Sequence, residues 1–336
     1  MTITLNRRQM LVALGATTAA AGMPFSAFGQ TQAVRIGTSS VGSVFYTLAI
    51  GAGEIISEYA GINTTVEPVG GSAANINGLV LNNIDLSINN SFSAYSGFTG
   101  QFGFPEPFNI RLLIQGQPSY RWIFVREGSG IETPADLNGK TIIGERRALP
   151  ELRLLLDAFI EHFGLDEGSM NVVETNETTG AIEAMRIGSV DAVILPFSPR
   201  AGQIEEPMLA GAMKFLRVSP EDRDALLELL PAAFFGVDQP ANDFSNQPEV
   251  VPLTSLNTYL ISDASLDEEV AYQVVKALFD NHEEFVSYHG TAKDWTVENT
   301  LRSPAVPFHP GAVRYFEETG VWTEELAAKQ EELLNT

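Results

Sequence analysis

The sequence has 336 residues, 44% of them apolar, and it carries 42 Asp and Glu against 20 Lys and Arg, which gives a formal net charge of -22. Such acidity excludes nucleic acid as a partner, because the phosphate backbone binds clustered Lys and Arg. The chain has no cysteine, which excludes disulfides, thiolate metal sites and cysteine nucleophiles. The length predicts two domains of ordinary size. In so acidic a protein, a site for an anionic ligand must supply its own positive charge or converging backbone N–H groups.

The N-terminus has the pattern of a secretory signal. Arg7 and Arg8 precede an apolar, Ala-rich run over 11–23, and small residues follow up to Gly29. A basic head, a short apolar middle and small residues are typical of a cleavable export signal, and the run is shorter than the roughly 20 apolar residues that span a bilayer. We predict a signal peptide over residues 1–29, of the twin-arginine type because of the paired arginines, with general secretion as the alternative. The mature protein is then periplasmic.

Strands and helices alternate along the rest of the chain. Apolar runs predict strands over 34–38, 64–69, 84–91, 110–115, 122–126, 141–144, 171–174, 191–195 and 256–261. Helical spacing predicts helices over 46–59, 70–81, 151–163, 181–187, 266–285 and 310–334, whereas residues 231–252 are rich in Pro, Asn and Gln and predict an irregular path. This alternation predicts an α/β fold of mostly parallel sheets flanked by helices, with ligands bound beyond the carboxyl ends of the strands.

Polar side chains follow the first three predicted strands. Ser39, Ser40 and Ser43 lie between a strand and a helix N-terminus, where free N–H groups and the helix dipole favour a carboxylate or phosphate. Simple helix capping by serine is the alternative. The next two strand ends carry similar side chains, Ser72, Asn75, Asn89 and Asn90. Because these loops meet at one edge of a parallel sheet, we predict that they form a ligand cleft.

A pair of arginines precedes the helix predicted over 151–163. Arg146 and Arg147 are candidates for a bidentate clamp on a carboxylate, which a guanidinium forms better than an ammonium does. Ion pairs with Glu145 or Glu151 are the alternative role for these arginines.

Two further pairs of neighbouring residues complete the predicted site. Phe45 and Tyr46 begin a helix and are candidates for stacking on a ligand, with burial in the core as the alternative. Phe197 and Ser198 end a strand of the second predicted sheet and are candidates for a cleft wall, with Ser198 as the polar contact.

No residue pattern predicts catalysis, a metal or a cofactor. His282 and His289 lie on or near one helix beside Glu283 and Glu284, but no third metal ligand accompanies them, so surface histidines are the favoured interpretation. No nucleophile is paired with a base, and the many acidic residues show no isolated catalytic pair. The sequence therefore predicts a protein that is not an enzyme.

Short motifs in a fixed order match a known family over nearly the whole predicted mature chain. They are Ile36-Gly37-Thr38 with Gly42 and Phe45-Tyr46, Gly71-Ser72 with Asn75, residues 133–140 with Asp136-Leu137 and Gly139, Gly188 with Asp191-Ala192, and the box Phe308-His309-Pro310-Gly311-Ala312-Val313-Arg314-Tyr315-Phe316. On these motifs the chain resembles the TAXI-type substrate-binding proteins of tripartite ATP-independent periplasmic (TRAP) transporters. Residues 144–153 replace a Gly/Ser-rich loop of many relatives, so the ligand of a relative is not transferred to this chain.

The resemblance implies a type II periplasmic-binding-protein fold, whose two lobes close on a ligand in the cleft between them. The first lobe would comprise residues 31–117 plus 253–336, and the second residues 118–252. The implied function is capture of a small, anionic, carboxylate-bearing solute (an amino acid, keto acid or dicarboxylate) and its delivery to the TRAP permease subunits in the membrane. A periplasmic ligand sensor and an enzyme on the same two-lobed fold are the alternatives.

Overall fold

The computed structural model describes residues 33–39 and 41–336. The predicted signal peptide and Ser40 lie outside the described residues. The strands are β1 (Ala33–Thr38), β2 (Asn63–Pro68), β3 (Leu86–Asn90), β4 (Ile110–Arg126), β5 (Thr141–Glu145), β6 (Asn171–Glu174), β7 (Ala192–Phe197), β8 (Met213–Phe215), β9 (Phe235–Gln239) and β10 (Val251–Asp263). The helices are α1 (Val44–Ala60), α2 (Ser72–Val80), α3 (Ser91–Thr99), α4 (Glu151–Phe163), α5 (Thr178–Arg186), α6 (Gly202–Leu209), α7 (Pro220–Glu228), α8 (Glu268–Asp280), α9 (His282–Tyr288), α10 (Val297–Leu301), α11 (Pro310–Glu318) and α12 (Glu324–Leu334). Short 3-10 helices cover Pro134–Leu137, Glu167–Ser169 and Gly290–Asp294.

The strands form one ten-stranded sheet in the order β2-β1-β3-β10-β4-β7-β5-β6, with β8 paired to β4 and β9 to β10. Strand β1 is parallel to β2 and β3, and β5 is parallel to β6 and β7. Strands β4 and β10 are antiparallel to each other and to all their other neighbours. The sheet is therefore mixed: two parallel halves, each formed from strands that alternate with helices, are joined by two antiparallel strands. This architecture confirms the predicted α/β class.

Buried apolar side chains form two clusters, called here the first core and the second core. Strand β4 contributes Ile114 and the residues before it to the first core, and Tyr120 and the residues after it to the second. Strand β10 contributes its residues up to Leu256 to the second core and those from Tyr259 onward to the first. The chain thus passes between the cores twice. The predicted lobe boundaries, after residues 117 and 252, stay predictions.

Strand β4 is continuous over 17 residues, whereas the sequence predicted two strands separated at 116–119. Gly and Pro in this passage disfavour a strand by propensity, but pairing with β10 overrides that preference. Asn257 lies opposite Pro118 and Tyr259 lies opposite Gln115, with a register shift between the two pairs. The register shift and a proline without an N–H make the β4–β10 ladder irregular where the cores divide.

Two predicted C-terminal helices are each divided into two. The helix predicted over 266–285 ends and restarts at Asn281, whose backbone leaves the helical region (φ -117°, ψ 33°). The Asn281 side chain donates to the carbonyl of Ala277 at 2.8 Å, which ends the first helix by satisfying one of its last carbonyls. The tail predicted as largely helical over 310–334 is interrupted near Gly320, which has a positive φ of 72°.

Other elements had no clear sequence pattern. Helix Ser91–Thr99 follows β3 directly and is rich in small polar residues; Asn90 caps it by accepting a hydrogen bond from the Ser93 N–H at 2.7 Å. The segment 231–252 contains strand β9, which pairs with β10 instead of running irregularly. In both cases tertiary pairing or capping decides the structure more than intrinsic propensity does.

Within the described residues the longest helix, Val44–Ala60, has 17 residues, and no helix there has both the length and the apolar character that are needed to cross a membrane.

Candidate functional site

A cleft of about 530 Å³ opens between elements that belong to the two cores. The loops after β1 and β2 and the end of β3 line one side, and the loops after β5 and β7 and the start of helix Thr178–Arg186 line the other. Strand β4, at Ser119 and Arg121, contributes to the lining where the two sides meet. Most predicted site residues line this cleft, namely Ser39, Ser43, Phe45, Ser72, Asn90, Arg146, Phe197 and Ser198.

The structure does not bring Asn75 and Asn89 to the cleft surface. Both are fully buried. The Asn75 side chain donates to the Asn89 Oδ1 at 3.0 Å, and the Asn89 side chain donates to the Ser72 carbonyl at 3.2 Å. These two buried amide side chains therefore support the Ser72 loop. Sequence position alone does not distinguish such a supporting role from contact with a ligand.

Tyr46 and Arg147 also lie away from the cleft lining. The Tyr46 backbone N–H is used in capping, because it donates to Ser43 Oγ at 3.1 Å. Arg147 is exposed and lines a surface depression with Phe102 and Glu174, to which Arg146 also contributes; its backbone N–H donates to Glu174 Oε1 at 3.3 Å. Of the two arginines of the predicted clamp, Arg146 lines the cleft and Arg147 does not.

Helix N-termini of both cores face the cleft. Ser43 caps helix Val44–Ala60, and Ser72 begins helix Ser72–Val80. On the other side Thr178 and Gly202 begin helices of eight or more residues, and all four residues line the cleft. The first N–H groups of a helix lack partners within it and carry a partial positive charge, so these four ends favour negative or acceptor groups in the space between them.

The backbone before Ser72 uses a conformation that favours glycine. Gly70 and Gly71 have φ values of 113° and 139°, which L side chains rarely adopt. This turn brings Ser72 Oγ to the Asn90 backbone N–H, from which it accepts a hydrogen bond of 3.2 Å. The hydroxyl proton of Ser72 remains free to be donated toward the cleft.

A buried ion pair lies beneath the cleft. Arg121 donates from Nε and Nη2 to Glu151 Oε1 at 3.1 and 2.9 Å, and the Asn90 side chain donates to the same oxygen at 3.2 Å. Nη1 of Arg121 is held by Ser119 Oγ at 2.7 Å and by the Tyr120 carbonyl at 3.0 Å. The pair connects β3, β4 and helix Glu151–Phe163. Sequence analysis did not select Arg121, although a charge within an apolar strand was a usable signal, since buried charges are paired.

Arg146 has no carboxylate partner within the described residues. Its Nη1 donates to Thr178 Oγ1 at 3.1 Å, and its buried Nε has no partner there. Burial lowers the pKa of the Arg146 guanidinium. The ion pairs predicted as its alternative role are not formed, because Glu145 pairs with Arg153 and Glu151 pairs with Arg121.

The third arginine of the cleft, Arg200, is paired with Asp243 at 3.0 Å. Among the described residues that line the cleft, none is Asp, Glu or Lys. In a chain with a net charge of -22, the cleft is thus a local region of positive charge. Three guanidinium groups and four helix N-termini provide the donors that an anion or a polar acceptor group requires.

His289 and Thr291 line the cleft as well, and sequence analysis did not select them as ligand contacts. His289 Nδ1 accepts a hydrogen bond from the Thr291 N–H at 3.2 Å, which leaves Nε2 as the remaining ring nitrogen. His282, by contrast, uses Nε2 on the Ala292 carbonyl at 2.9 Å. The described part of the chain gathers no three side chains that are placed to ligate one metal ion.

Phe197 is both a cleft residue and a core residue. It is only 3% exposed, and its ring packs edge-on against Tyr120 and Phe124 at centroid distances of 5.3 and 5.2 Å. The predicted cleft wall at this position is therefore the surface of the second core, and Ser198 beside it supplies the polar group at the rim.

Solved structures show similar folds. PhnD1 from Prochlorococcus marinus, solved in complex with methylphosphonate, matches with a TM-score of 0.55 at 10% identity, covering 79% of this chain and 91% of that one. A Xanthomonas citri protein bound to a chloride ion matches with a TM-score of 0.51 at 13% identity over 90% of this chain and 99% of that one. The periplasmic aliphatic sulphonate binding protein SsuA from Escherichia coli matches with a TM-score of 0.47 at 17% identity over 90% of this chain and 86% of that one.

The mixed sheet, the cleft between two cores and the likeness to PhnD1 and the Xanthomonas citri protein confirm the predicted type II periplasmic-binding-protein fold. The chain belongs to the NMT1-like family, whose model matches residues 36–320.

Proposed function

We propose that this protein is a periplasmic solute-binding protein that captures a small carboxylate-bearing solute in the cleft and delivers it to a membrane permease. The observation that carries the proposal is the charge of the cleft lining. Three arginines and no acidic residue line it, and Arg146 has no carboxylate partner among the described residues. A carboxylate would supply the missing partner and would restore the hydrogen bonds that burial denies to this guanidinium.

Capture requires that the ligand contact both sides of the cleft. The first core contributes Ser43 and Ser72 at helix N-termini, and the second contributes Arg146 and Ser198. A ligand that contacts both sets stabilises the closed arrangement over the open one, because only there are all contacts made. Bending near Pro118, where the pairing of β4 with β10 is irregular, would allow the two sides to approach each other.

The transporter partner follows from the sequence resemblance. The motifs shared with TAXI-type proteins indicate the permease subunits of a TRAP transporter as the recipient of the solute, and the predicted signal peptide indicates export to the periplasm. The fold alone does not distinguish between transporter classes, since one fold serves many functions.

A thermal-shift screen tests the proposal. Purified protein is heated with amino acids, keto acids, dicarboxylates, sugars and polyamines, because a ligand that binds only the folded state raises the melting temperature. We expect a shift with a carboxylate class, confirmed by isothermal titration calorimetry, and full recovery of the compound by mass spectrometry after incubation.

Other outcomes contradict the proposal. Consumption of the bound compound would identify an enzyme on this fold. A shift with sugars or polyamines alone would show a solute-binding protein but would exclude a carboxylate as the ligand. Binding of a carboxylate without any uptake by membranes that contain the cognate permease would favour a ligand sensor.

A further inference from the structure

The cations of the cleft differ in how their charge is balanced. Glu151 accepts two hydrogen bonds from Arg121, and Asp243 lies 3.0 Å from Arg200. Arg146 contacts only a threonine hydroxyl within the described residues. Each ion pair carries no net charge, so one full positive charge is left in the cleft, at Arg146.

Glu151 is placed to cancel charge without contacting a ligand. Its side chain is 0% exposed and does not line the cleft, whereas its partner Arg121 does. The carboxylate meets the guanidinium along the Nε and Nη2 edge, and Ser119 and Tyr120 hold Nη1. This arrangement leaves one Nη2 proton of Arg121 that can be donated to a ligand. Arg121 is then a hydrogen-bond donor whose positive charge is already compensated by Glu151.

We infer that Glu151 determines the charge class of the ligand, and that the cleft selects a monocarboxylate over a dicarboxylate. The inference rests on the proposed solute-binding function and narrows its ligand class. A second carboxylate would lose its hydration and would find, besides Arg146, no uncompensated guanidinium among the described residues that line the cleft. Helix N-termini do not change this argument, because their N–H groups serve neutral acceptors as well as anions.

Both charges of the Arg121–Glu151 pair affect the pKa of Arg146. Burial lowers the pKa of Arg146, the Glu151 carboxylate raises it, and the charge of Arg121 lowers it. Arg121 and Glu151 therefore act on the ligand-facing guanidinium in opposite directions, as expected of a pair whose joint effect on the cleft is small. Removing the charge of Glu151 alone would leave Arg121 as a second free cation beside Arg146.

The test compares malonate with monomethyl malonate, which have the same carbon chain and differ by one negative charge. Apparent affinities are measured by thermal-shift titration at constant ionic strength for the parent, for Glu151→Gln and for the double variant Arg121→Gln/Glu151→Gln. We expect the parent to bind monomethyl malonate at least tenfold more tightly than malonate. In Glu151→Gln the ratio of the affinity for monomethyl malonate to that for malonate should change at least tenfold in favour of malonate. The double variant should return to the preference of the parent.

A parent that prefers malonate would overturn the inference, and so would a Glu151→Gln variant that folds and keeps the parental ratio. The preference of the parent is measured without any substitution, so it tests the inference even if Glu151→Gln fails to fold. If neither malonate binds but the solute screen finds a neutral or cationic ligand, the charge inference is wrong and the solute-binding function stands. If no solute of any class binds, both are contradicted.

Discussion

Arg121 and Glu151 form an ion pair of 2.9 Å whose side chains are 3% and 0% exposed, beneath the cleft to whose lining Arg121 contributes. Removing two charges from water costs free energy, and a pair in such a position is stable only when further hydrogen bonds satisfy it. Asn90 supplies such a bond to Glu151 Oε1, and Ser119 and Tyr120 supply them to Arg121 Nη1, whereas Glu151 Oε2 is buried with no hydrogen-bond partner among the described residues. The pair and Asn90 thus connect β3, β4 and helix Glu151–Phe163 beneath the cleft.

Replacing one member of this pair should be more destabilising than replacing both. Arg121→Met leaves the Glu151 carboxylate buried without a cation, and we expect it to lower the free energy of unfolding by about 3–5 kcal/mol. The double variant Arg121→Met/Glu151→Leu buries no charge and should recover most of that loss. Urea unfolding measures all three proteins.

An exposed pair serves as the control for that experiment. Arg186 and Glu183 are 64% and 51% exposed, so Arg186→Met should change the free energy of unfolding much less than Arg121→Met does, because water and salt screen a surface pair. Equal losses in Arg121→Met and in the double variant would show that packing, and not charge, determines the stability of this site.

Arg146 and Arg147 provide a matched pair for testing the ligand site. We expect Arg146→Gln to weaken carboxylate binding more than tenfold, which is about 1.4 kcal/mol, because the substitution removes the one cleft cation that lacks a partner in the described structure. Arg147→Gln should bind like the parent, because its side chain lies in a different depression. Isothermal titration calorimetry with the carboxylate found by screening measures both. Equal weakening in the two variants would contradict the assignment of the cleft.

The sequence was sufficient for much of the fold because local signals agreed with tertiary structure. The helix predicted over 151–163 has those boundaries in the structure, where Gly164 ends it with a positive φ of 62°. Ser39, Ser43 and Ser72 follow apolar strands and line the cleft, since strand ends and helix starts converge in a parallel α/β sheet. Asn75 and Asn89 follow the same pattern but are buried and do not line the cleft, because spacing along a chain does not fix the direction of a side chain.

Long-range pairing was the main feature that sequence could not supply. The continuity of β4 through Pro118 depends on its pairing with β10, more than a hundred residues later. The partner of Arg121 likewise comes from a different element, so neither charge alone revealed the pair. Arg146 and Arg147 were indistinguishable as neighbours in sequence, and only the course of their loop separated the cleft residue from the exposed one.

Gly116 allows close contact between β4 and a buried tryptophan where the two cores divide. A Cβ at this position would lie 2.2 Å from Trp295 Cε2 and Nε1, and the Trp295 ring is fixed by a hydrogen bond of 2.6 Å from Nε1 to Gln117 Oε1. We expect Gly116→Ala to lower the free energy of unfolding by about 1–3 kcal/mol, as overpacking in a core does. Urea unfolding measures the change.

Gly290→Ala is the control for that substitution. No atom lies within 4 Å of a Cβ built at Gly290, and its φ is not in the left-handed region, so its stability should stay close to that of the parent. If Gly116→Ala is as stable as Gly290→Ala, the Trp295 ring moves freely and the passage between the cores is loosely packed.

His309 should make the stability of the fold depend on pH. Burial lowers the pKa of His309 below its ordinary value of 6.5. In the neutral ring Nδ1 accepts from the Gly311 N–H at 3.2 Å and Nε2 donates to the Leu266 carbonyl at 3.0 Å. Between the folded and the ordinary pKa the unfolded state binds more protons, so the free energy of unfolding falls as pH drops below about 6.5.

The variant His309→Asn keeps a capping side chain and removes the titrating ring. We expect the difference in free energy of unfolding between parent and variant to be largest near neutral pH and to shrink as the pH is lowered toward 5, when measured by urea unfolding at each pH. A difference that stays constant over this range would mean that His309 does not lose its hydrogen bonds on protonation.

Closure of the cleft can be measured directly, because the chain contains no cysteine and introduced cysteines carry spin labels without competition. Val41 and Ile187 are 69% and 67% exposed and lie in segments attached to the first and second cores. In the double variant Val41→Cys/Ile187→Cys we expect a saturating carboxylate ligand to shorten the distance measured by double electron–electron resonance. Val41→Cys/Leu81→Cys places both labels on the side of the first core and should give the same distance with and without ligand. If calorimetry shows binding and neither distance changes, the ligand enters a rigid cleft, and the bending assigned to the irregular pairing around Pro118 does not occur.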